Sequence, residues 1–105
     1  MSQISTHVLD TTAGRPAGGI PVRLYLDDRQ VGAGVTNQDG RCVALLENSV
    51  KLEAGIYRIT FEIADKFPNS FYPKVEISFR VRDSGAHYHI PLLLSPFGYT
   101  TYRGS

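Results

Sequence analysis

The sequence predicts an all-β protein, a two-sheet β-sandwich of about seven or eight short strands, and three observations carry this prediction. Apolar side chains alternate with polar ones in several segments, as they do in strands that bury one face. Glycine, proline and aspartate cluster between these segments, where the chain must reverse. No segment has a convincing helical period of about 3.6 residues. The 105 residues are expected to form one domain, residues 1–105.

Five segments carry the alternation, and in chain order they are ISTHVLD (4–10), PVRLYLDD (21–28), IYRITFEI (56–63), KVEISFRVR (74–82) and HYHIPLLLSP (87–96). The three middle segments each have one apolar face that is predicted to be buried, namely Val22, Leu24 and Leu26, then Tyr57, Ile59, Phe61 and Ile63, then Val75, Ile77, Phe79 and Val81. The turn sequences between strands are AGRPAGG (13–19), QDG (38–40), AG (54–55) and DSG (83–85). A short helix in ADKFPNSF (64–71) is doubtful, because Pro68 would interrupt it.

The first and last alternating segments place histidines on outward faces. In residues 87–96 the better core face carries Tyr88, Ile90, Leu92 and Leu94, so the outward face carries His87, His89, Pro91 and Leu93. A proline cannot donate to a ladder, which makes this strand locally special. In residues 4–10, Val8 is predicted to point inward with Ile4 and Thr6, and His7 therefore points outward with Ser5 and Leu9.

Composition excludes several classes of function. The formal net charge is +1 and no basic run stands out, so neither nucleic acid nor an anionic membrane is an expected partner. The single cysteine, Cys42, excludes an internal disulfide and fits a reducing compartment. The N-terminus has no signal-peptide pattern, and no window approaches the roughly 18 apolar residues of a membrane span. A cytoplasmic protein is expected.

The three histidines raise the question of a metal site. His87 and His89 on one strand could chelate one ion, and His7 could add a third ligand, as in catalytic zinc sites. However, no fixed spacing links His7 to the pair, Cys42 has no CxxC partner, and an H-x-H on a strand is more typical of surface or partly buried imidazoles. The prediction is therefore no metal and no cofactor. A serine triad has no G-x-S-x-G turn to support it.

The last residues, Tyr102-Arg103-Gly104-Ser105, have three possible explanations. They are a frayed tail, a cloning remnant or part of a functional site. The strand pattern alone does not distinguish between these three explanations. The residues that precede position 102 provide further information.

Three segments resemble the 5-hydroxyisourate hydrolases, the transthyretin-like enzymes of urate degradation: HVLDTTAGRPAGGIPVRLY (7–25), TNQDGRC (36–42) and HYHIPLLLSPFGYTTYRGS (87–105). The resemblance runs over nearly the whole chain. Its most specific part is the S-P-[FY]-G-Y stretch that leads into a terminal Y-R-G-S. A cloning remnant would not also reproduce the residues before these four letters, so the resemblance favours a site element.

The resemblance implies a transthyretin fold of two four-stranded sheets, assembled as a homotetramer that is a dimer of dimers. A channel between the dimers would be lined by the outer face of one sheet, where the strand pattern already places His7 and His89. Pairing of edge strands between subunits would also remove an aggregation liability. VEISFRV and the final YTTYR are the candidates for this pairing.

Carried over by position, the family's active-site set falls on His7, Arg41, His89 and the terminal Tyr102-Arg103-Gly104-Ser105. The implied reaction is metal-independent hydrolysis of 5-hydroxyisourate to 2-oxo-4-hydroxy-4-carboxy-5-ureidoimidazoline. His7 and His89 would be the acid and base that activate water, in an order that stays open, and Arg41 would stabilise the oxyanion. Ser105 would orient water or substrate, and His87 is expected to be structural or to support the site. The catalytic set is thus His7, Arg41, His89 and Ser105, and the substrate-binding set is His7, Arg41, Tyr102 and Arg103.

Two rival functions differ from this prediction in chemistry. A transthyretin-type carrier would bind a small aromatic ligand in the same channel without catalysis, but such proteins lack the imidazoles and the Y-R-G-S ending. A non-catalytic β-sandwich interaction domain, such as an adhesion or carrier domain, would not need three outward-facing ionisable groups of these kinds. One departure from the family is the short DKFPNS link (65–70), where relatives carry a short helix and a longer connection. The change is expected to affect a surface rather than the activity.

Overall fold

A computed structural model describes residues 3–105 of the chain, and within them it contains strands and turns but no helix. The strands are β1 (Ile4–Asp10), β2 (Arg15–Pro16), β3 (Pro21–Leu26), β4 (Arg29–Val35), β5 (Arg41–Cys42), β6 (Gly55–Glu62), β7 (Lys74–Val81), β8 (Tyr88–Ser95) and β9 (Gly98–Thr101). β2 and β5 have only two residues each, and the longer strands agree with the alternation in the sequence. Residues 3–105 therefore contain no helix long and apolar enough to cross a membrane.

The strands form two sheets that pack into a sandwich, as predicted. One sheet has the order β2-β1-β8-β9, with β5 also pairing with β1, and the other has the order β4-β3-β6-β7. The first sheet is therefore five-stranded rather than four-stranded, because the two-residue strands β2 and β5 both lie beside β1. β1 and β8 are parallel, whereas the other pairs are antiparallel.

The doubtful helix after residue 63 is replaced by turns. The amide of Phe67 donates to the carbonyl of Ile63 at 2.9 Å, which is one helical turn. Pro68 follows and has no N–H to continue the ladder. The amide of Ser70 then donates to the carbonyl of Phe67 at 3.0 Å and reverses the chain. The prediction that Pro68 would interrupt a helix here is confirmed, and the missing N–H of the proline is the reason.

The core lies between the two sheets and contains the side chains that the alternation predicted to be buried. Val22, Leu24, Tyr57, Ile59, Phe61, Ile63, Val75 and Val81 are all nearly inaccessible, and so is the inward face of β8. Ile77 and Phe79 are only partly buried. They lie on β7, an edge strand, where the opposite sheet does not cover them fully. The predicted core was therefore correct except at this edge.

The outward face of the β4-β3-β6-β7 sheet is an ordinary solvated surface. Arg58 on β6 pairs with Glu76 on β7 at 3.3 Å, and Lys74 lies 3.4 Å from the same carboxylate. Such exposed pairs contribute little stability each. The histidines lie on the other sheet, so the two outward faces differ in chemical character.

The connection between β5 and β6 contributes core residues that the strand pattern did not identify. Leu45, Leu46 and Leu52 are buried although they lie outside regular strands. The connection packs against β4 through a bridge between Gly32 and Leu46, and the amide of Glu47 donates to the carbonyl of Val31 at 3.0 Å. This close approach of two backbones requires a residue without a side chain at position 32.

Replacing Gly32 with alanine tests that requirement. A Cβ at this position would overlap the backbone carbonyl of Leu45, which cannot rotate away. We expect Gly32→Ala to lower the free energy of unfolding by about 3 kcal/mol, the upper end of ordinary overpacking costs. Chemical denaturation measures the change. The control is Ala33→Ser at the exposed neighbouring position, which should stay within about 0.5 kcal/mol of the wild type. Equal stability of the two variants would contradict the packing argument.

Candidate functional site

The outward face of the β2-β1-β8-β9 sheet brings His7, Arg41 and His89 together. Arg41 on β5 is the antiparallel partner of His7 on β1, so their side chains lie next to each other on one face. His7 is also the parallel partner of Pro91, and Ser5 is the partner of His89. His7 and His89 thus lie in adjacent rows of the same face. Val8 and Ile90 point into the core, as predicted, which leaves both histidines outside.

The QDGR turn (38–41) positions Arg41 opposite His7. The side-chain oxygen of Asn37 accepts hydrogen bonds from the amides of Asp39 and Arg41 at 2.9 and 3.0 Å, and the amide of Gly40 donates to the carbonyl of Asn37 at 2.8 Å. Gly40 has a φ of 74°, a left-handed conformation that glycine adopts without strain. The amide of Val8 then donates to the carbonyl of Gly40 at 2.7 Å, which ties the turn to β1.

The same turn holds the imidazole of His7. Its Nε2 lies 2.9 Å from the carbonyl oxygen of Asp39. A carbonyl oxygen only accepts, so Nε2 carries a proton and donates it. In the neutral ring Nδ1 is then the unprotonated nitrogen of His7.

His89 is held from the other side by Ser5. The Oγ of Ser5 lies 2.8 Å from Nδ1 of His89 and 3.1 Å from Nε2 of His87. The rings of His87 and His89 are nearly parallel, with centroids 6.4 Å apart. Ser5 is buried, His89 is half-buried and His87 is exposed. A single hydroxyl therefore links an exposed imidazole to one within the site.

The environment of His89 favours its neutral form. Burial lowers the pKa of His89 below its ordinary value of about 6.5, and the positive charges of Arg41, His87 and His7 lower it further, while a hydrogen bond with the backbone of Ser5 acts in the opposite direction. At neutral pH the ring is thus uncharged and able to accept a proton. Arg41 keeps its charge at any physiological pH. The site therefore combines a neutral base with a fixed cation.

The C-terminal residues lie along β8 rather than extending into solvent. The amide of Gly104 donates to the carbonyl of His89 at 2.8 Å, and the two residues form an isolated bridge. The Arg103 guanidinium lies 4.6 Å from the centroid of the Tyr88 ring, a cation–π contact. Tyr102 and Ser105 are exposed beside these contacts. The contacts of Arg103 and Gly104 therefore hold the terminal segment against β8, which is not the arrangement of a frayed tail.

A groove of about 300 Å³ opens next to His89, between the edge strand β7 and the terminal segment. Its lining includes Phe79, Tyr88, His89, Tyr102 and Arg103. His7 and Arg41 lie outside the groove, on the sheet face beyond His89. Within residues 3–105 no three His, Cys, Asp or Glu side chains are arranged to hold a metal ion. Ser5 links His87 with His89, whereas His7 donates to the carbonyl of Asp39.

The sequence profile of the HIUase/Transthyretin family matches residues 4–104. The chain belongs to this family. It is 41% identical to a 5-hydroxyisourate hydrolase of Ralstonia nicotianae, with all of both chains covered. It is 44% identical to a probable 5-hydroxyisourate hydrolase of Caenorhabditis elegans, over 99% of this chain and 82% of that one. The family predicted from the sequence is thus confirmed.

Solved structures of two kinds share the fold. The structure of Klebsiella pneumoniae 5-hydroxyisourate hydrolase has a TM-score of 0.87 and 37% identity, covering 99% of this chain and 100% of that one. Sea bream transthyretin in complex with thyroxine also has a TM-score of 0.87, with 29% identity, over 97% of this chain and 94% of that one. The predicted transthyretin-like fold is confirmed. Because an enzyme and a carrier of this family fit equally well, the fold alone does not decide the chemistry.

Two members of the site were missed by sequence reasoning. One is the carbonyl of Asp39, a backbone atom that no residue pattern identifies. The other is Ser5, which was placed on the outward face with His7 but not assigned a role. Its contacts with His87 and His89 depend on the parallel pairing of β1 with β8, and the sequence does not state which strands are neighbours.

A substitution at Gly104 tests how closely the terminal segment packs on His89. A Cβ on Gly104 would lie 2.5 Å from Cδ2 of His89 and 3.2 Å from Cγ of Pro91. The ring cannot move away without breaking its contact with Ser5. We expect Gly104→Ala to displace the ring or the segment and to lower kcat/KM by about 100-fold, as small misplacements of catalytic groups do. Hydrolase assays measure this loss, and thermal unfolding should show an intact core.

The matched control is Gly98→Ala, because a Cβ there meets only the Ser95 hydroxyl, at 3.7 Å. This variant should keep its turnover. If Gly104→Ala retained full turnover, as the control should, this would contradict the argument that the terminal segment packs against a His89 ring needed for catalysis.

Proposed function

We propose that His7, Arg41 and His89 form the centre at which this chain hydrolyses 5-hydroxyisourate to 2-oxo-4-hydroxy-4-carboxy-5-ureidoimidazoline in urate degradation. The observation that carries the proposal is the placement of a neutral imidazole and a permanent cation on one sheet face, in a chain related over its full length to hydrolases of this name. Both groups lie on strands that pair with β1. The reaction requires both kinds of group.

The first step is attack of water on a ring carbonyl. A base must take the proton of the water, and His89 is suited to this because its Nε2 is not used by Ser5 and its ring is neutral at pH 7. His7 has its Nε2 bound to Asp39 and is held in one orientation. We assign His7 to binding and orienting substrate, with its Nδ1 as the available nitrogen.

Charge develops on the carbonyl oxygen as water attacks. Arg41, opposite His7, presents a planar guanidinium whose donors can bind this oxygen and a neighbouring enolate or carbonyl oxygen. A preorganised cation of this kind stabilises the transition state more than the ground state, because the charge appears only during reaction. No metal ion is required in this scheme.

The terminal residues complete the binding site in this proposal. Gly104 pairs with His89 and its Cα faces the imidazole, so the segment that carries Arg103 and Ser105 packs beside this ring. Ser105 would orient water or substrate through its hydroxyl. Tyr102 and Arg103 border the groove beside His89 and would contact the ring of the substrate. We place Ser105 with His7, Arg41 and His89 in the catalytic set, and Tyr102 and Arg103 in the binding set.

We further propose that the chain acts as a homotetramer, a dimer of dimers, in the cytoplasm. In the described residues, β7 pairs only with β6 and β9 only with β8, so both strands offer a free edge. Apolar side chains are exposed nearby, with Phe97 79% and Phe71 67% accessible. These edges and apolar residues suit pairing between subunits. Cys42 is buried and burial raises its pKa, so the thiol is unreactive, consistent with a reducing compartment.

Removal of Tyr102 to Ser105 tests the hydrolase against the carrier. The assay follows the decay of 5-hydroxyisourate, generated in place from urate by urate oxidase. We expect the intact chain to accelerate the decay well above the spontaneous rate, and the truncated chain to lose about 100-fold or more because a positioned part of the site is missing.

The assembly state of both proteins is checked by light scattering, so that loss of the tetramer is not mistaken for loss of the site. A carrier would tolerate the truncation. If the intact chain gave no acceleration, the hydrolase proposal would fail.

The pH dependence of turnover tests His89 as the base. Protonation inactivates a base, so kcat/KM should be constant at neutral pH and fall on the acid side, at a pH below about 6.5, where the lowered pKa of His89 lies. Arg41→Gln removes a positive charge that lowers this pKa. The acid limb should therefore move to higher pH, in addition to a fall in the maximum rate.

The control for this experiment is Arg15→Gln. Arg15 begins β2, which pairs with β1 as β5 does, but it lies opposite Asp10, away from the histidines. Its acid limb should match the wild type. If the acid limb of kcat/KM stayed at the same pH in Arg41→Gln, His89 would not be the base that titrates.

A further inference from the structure

Three side chains form a continuous hydrogen-bonded path from the site to the surface. Nδ1 of His89, Oγ of Ser5 and Nε2 of His87 are joined by contacts of 2.8 and 3.1 Å. We propose that Ser5 and His87 are positioning residues that keep the proton of neutral His89 on Nδ1 and relay a proton between the two rings during turnover. This inference rests on the proposed function, since it concerns how His89 acts as the base.

The direction of the path follows from counting donors. A serine hydroxyl has one proton to donate and lone pairs to accept with, so it can donate to only one of the two imidazoles. The base of the reaction must present an unprotonated nitrogen, and Nε2 is the nitrogen of His89 that Ser5 does not contact. Neutral His89 then carries its proton on Nδ1 and donates it to Ser5. Ser5 in turn donates to Nε2 of His87, whose own proton is on Nδ1.

The positions of the three residues suit this role. Ser5 is buried, with 6% of its surface accessible, so water does not compete for its hydroxyl. His87 is exposed and can carry a positive charge at low cost. The side-chain hydrogen bonds described for Ser5 and His87 join them to each other and to His89, so both act through His89. The charged or titratable groups around His89 are Arg41 on β5, His7 on β1, His87 next to β8 and Arg103 in the terminal segment.

The proton movements balance in two stages. In the first, water gives a proton to Nε2 of His89 as its oxygen bonds to the carbonyl carbon. Nδ1 of His89 gives its proton to Ser5, and Ser5 gives its own to Nε2 of His87, which becomes a cation. His89 is then neutral with its proton on Nε2. In the second, Nε2 gives that proton to the ring nitrogen as the carbon–nitrogen bond breaks, and the path runs in reverse to restore both histidines.

A consequence is that one histidine serves as base and then as acid. The alternative is a cationic His89 beside Arg41, which the same positive charges disfavour. The relay moves the transient charge one ring further from Arg41, to an imidazole in contact with solvent. The proton balance of the reaction is met without a second group in the site.

The first test combines a spectroscopic readout with kinetics. The nitrogen-15 chemical shifts of His89 in the whole protein, without substrate, report which ring nitrogen carries the proton. In the wild type we expect it on Nδ1. Ser5→Ala should mix the two forms and lower kcat by about tenfold, with KM within about twofold, because general acid–base catalysis is impaired while binding is not. Ser5→Thr, which retains a hydroxyl, should restore both readouts.

The control is Ser95→Ala on the same strand as His89. Its hydroxyl donates to the carbonyl of Gly98 at 3.0 Å, so the variant loses one comparable hydrogen bond away from the histidines. It should match the wild type in spectrum and in kcat. Thermal unfolding establishes that Ser5→Ala is folded, and Ser5→Thr keeps the test decisive if the alanine variant is not.

Two substitutions at His87 separate the orientation of the proton from its relay. The side-chain oxygen of glutamine can accept from Ser5 but cannot take up a proton, so His87→Gln should keep the proton of His89 on Nδ1 and yet lower kcat by about tenfold. His87→Leu removes the acceptor, and Ser5 is then free to donate to His89. This variant should change the spectrum as well as the rate.

Each contrary outcome has a distinct meaning. If the wild type turns over and His89 carries its proton on Nε2, or if Ser5→Ala matches Ser95→Ala in both readouts, the inference is wrong and the hydrolase proposal stands. A shifted spectrum with unchanged kcat, or full activity of His87→Gln, also overturns it. If the wild type does not accelerate decay of 5-hydroxyisourate, the proposed function fails first and the inference with it.

Discussion

The site depends on the parallel pairing of β1 with β8. This pairing sets Ser5 beside His89 and His7 beside Pro91, although Ser5 and His89 are 84 residues apart in the chain. A slip of β1 by one residue would turn His7 into the core, bring Val8 out of it and separate Ser5 from His89. Val8 is fully buried, so the free energy of burying apolar side chains on the inner face holds the register of the outer face. The geometry of the candidate site is thus a consequence of core packing on the other side of the same strands.

Positive charge is concentrated on this outward face, and within residues 3–105 neither Arg41 nor a histidine forms an ion pair with an acidic side chain. Burial lowers the pKa of His89, and the positive charges of Arg41, His87 and His7 lower it further, so this ring stays neutral. The polar contacts that hold the rings come from a backbone carbonyl at Asp39 and a hydroxyl at Ser5. A carboxylate in their place would raise the pKa of His89 and favour the charged ring. The choice of neutral partners is what allows an imidazole here to remain a base.

Alternation along single strands was sufficient to predict the sandwich, most of its core and the outward position of His7 and His89. It could not show that these two residues are close, because the pairing of distant strands is not encoded in the period of either one. The contacts of Ser5 were hidden for the same reason. Leu45 and Leu46 were missed because they lie outside strands and have no periodicity, and Phe79 is more exposed than predicted because β7 lies at an edge. The functional set came from a resemblance in residues, and the fold then accounted for its geometry.

The pairing of β1 with β8 also affects how the protein folds during its synthesis. β1 is synthesised well before β8, because most of a domain lies between them in the chain, so β1 remains without this neighbour during that time. Contacts between such distant segments slow folding, because a long loop must close before they form. Meanwhile β1 can complete neither its ladder nor its share of the core, and its apolar face is open to association with other chains. The site should therefore form in a single late step, after β8 has left the ribosome and paired with β1.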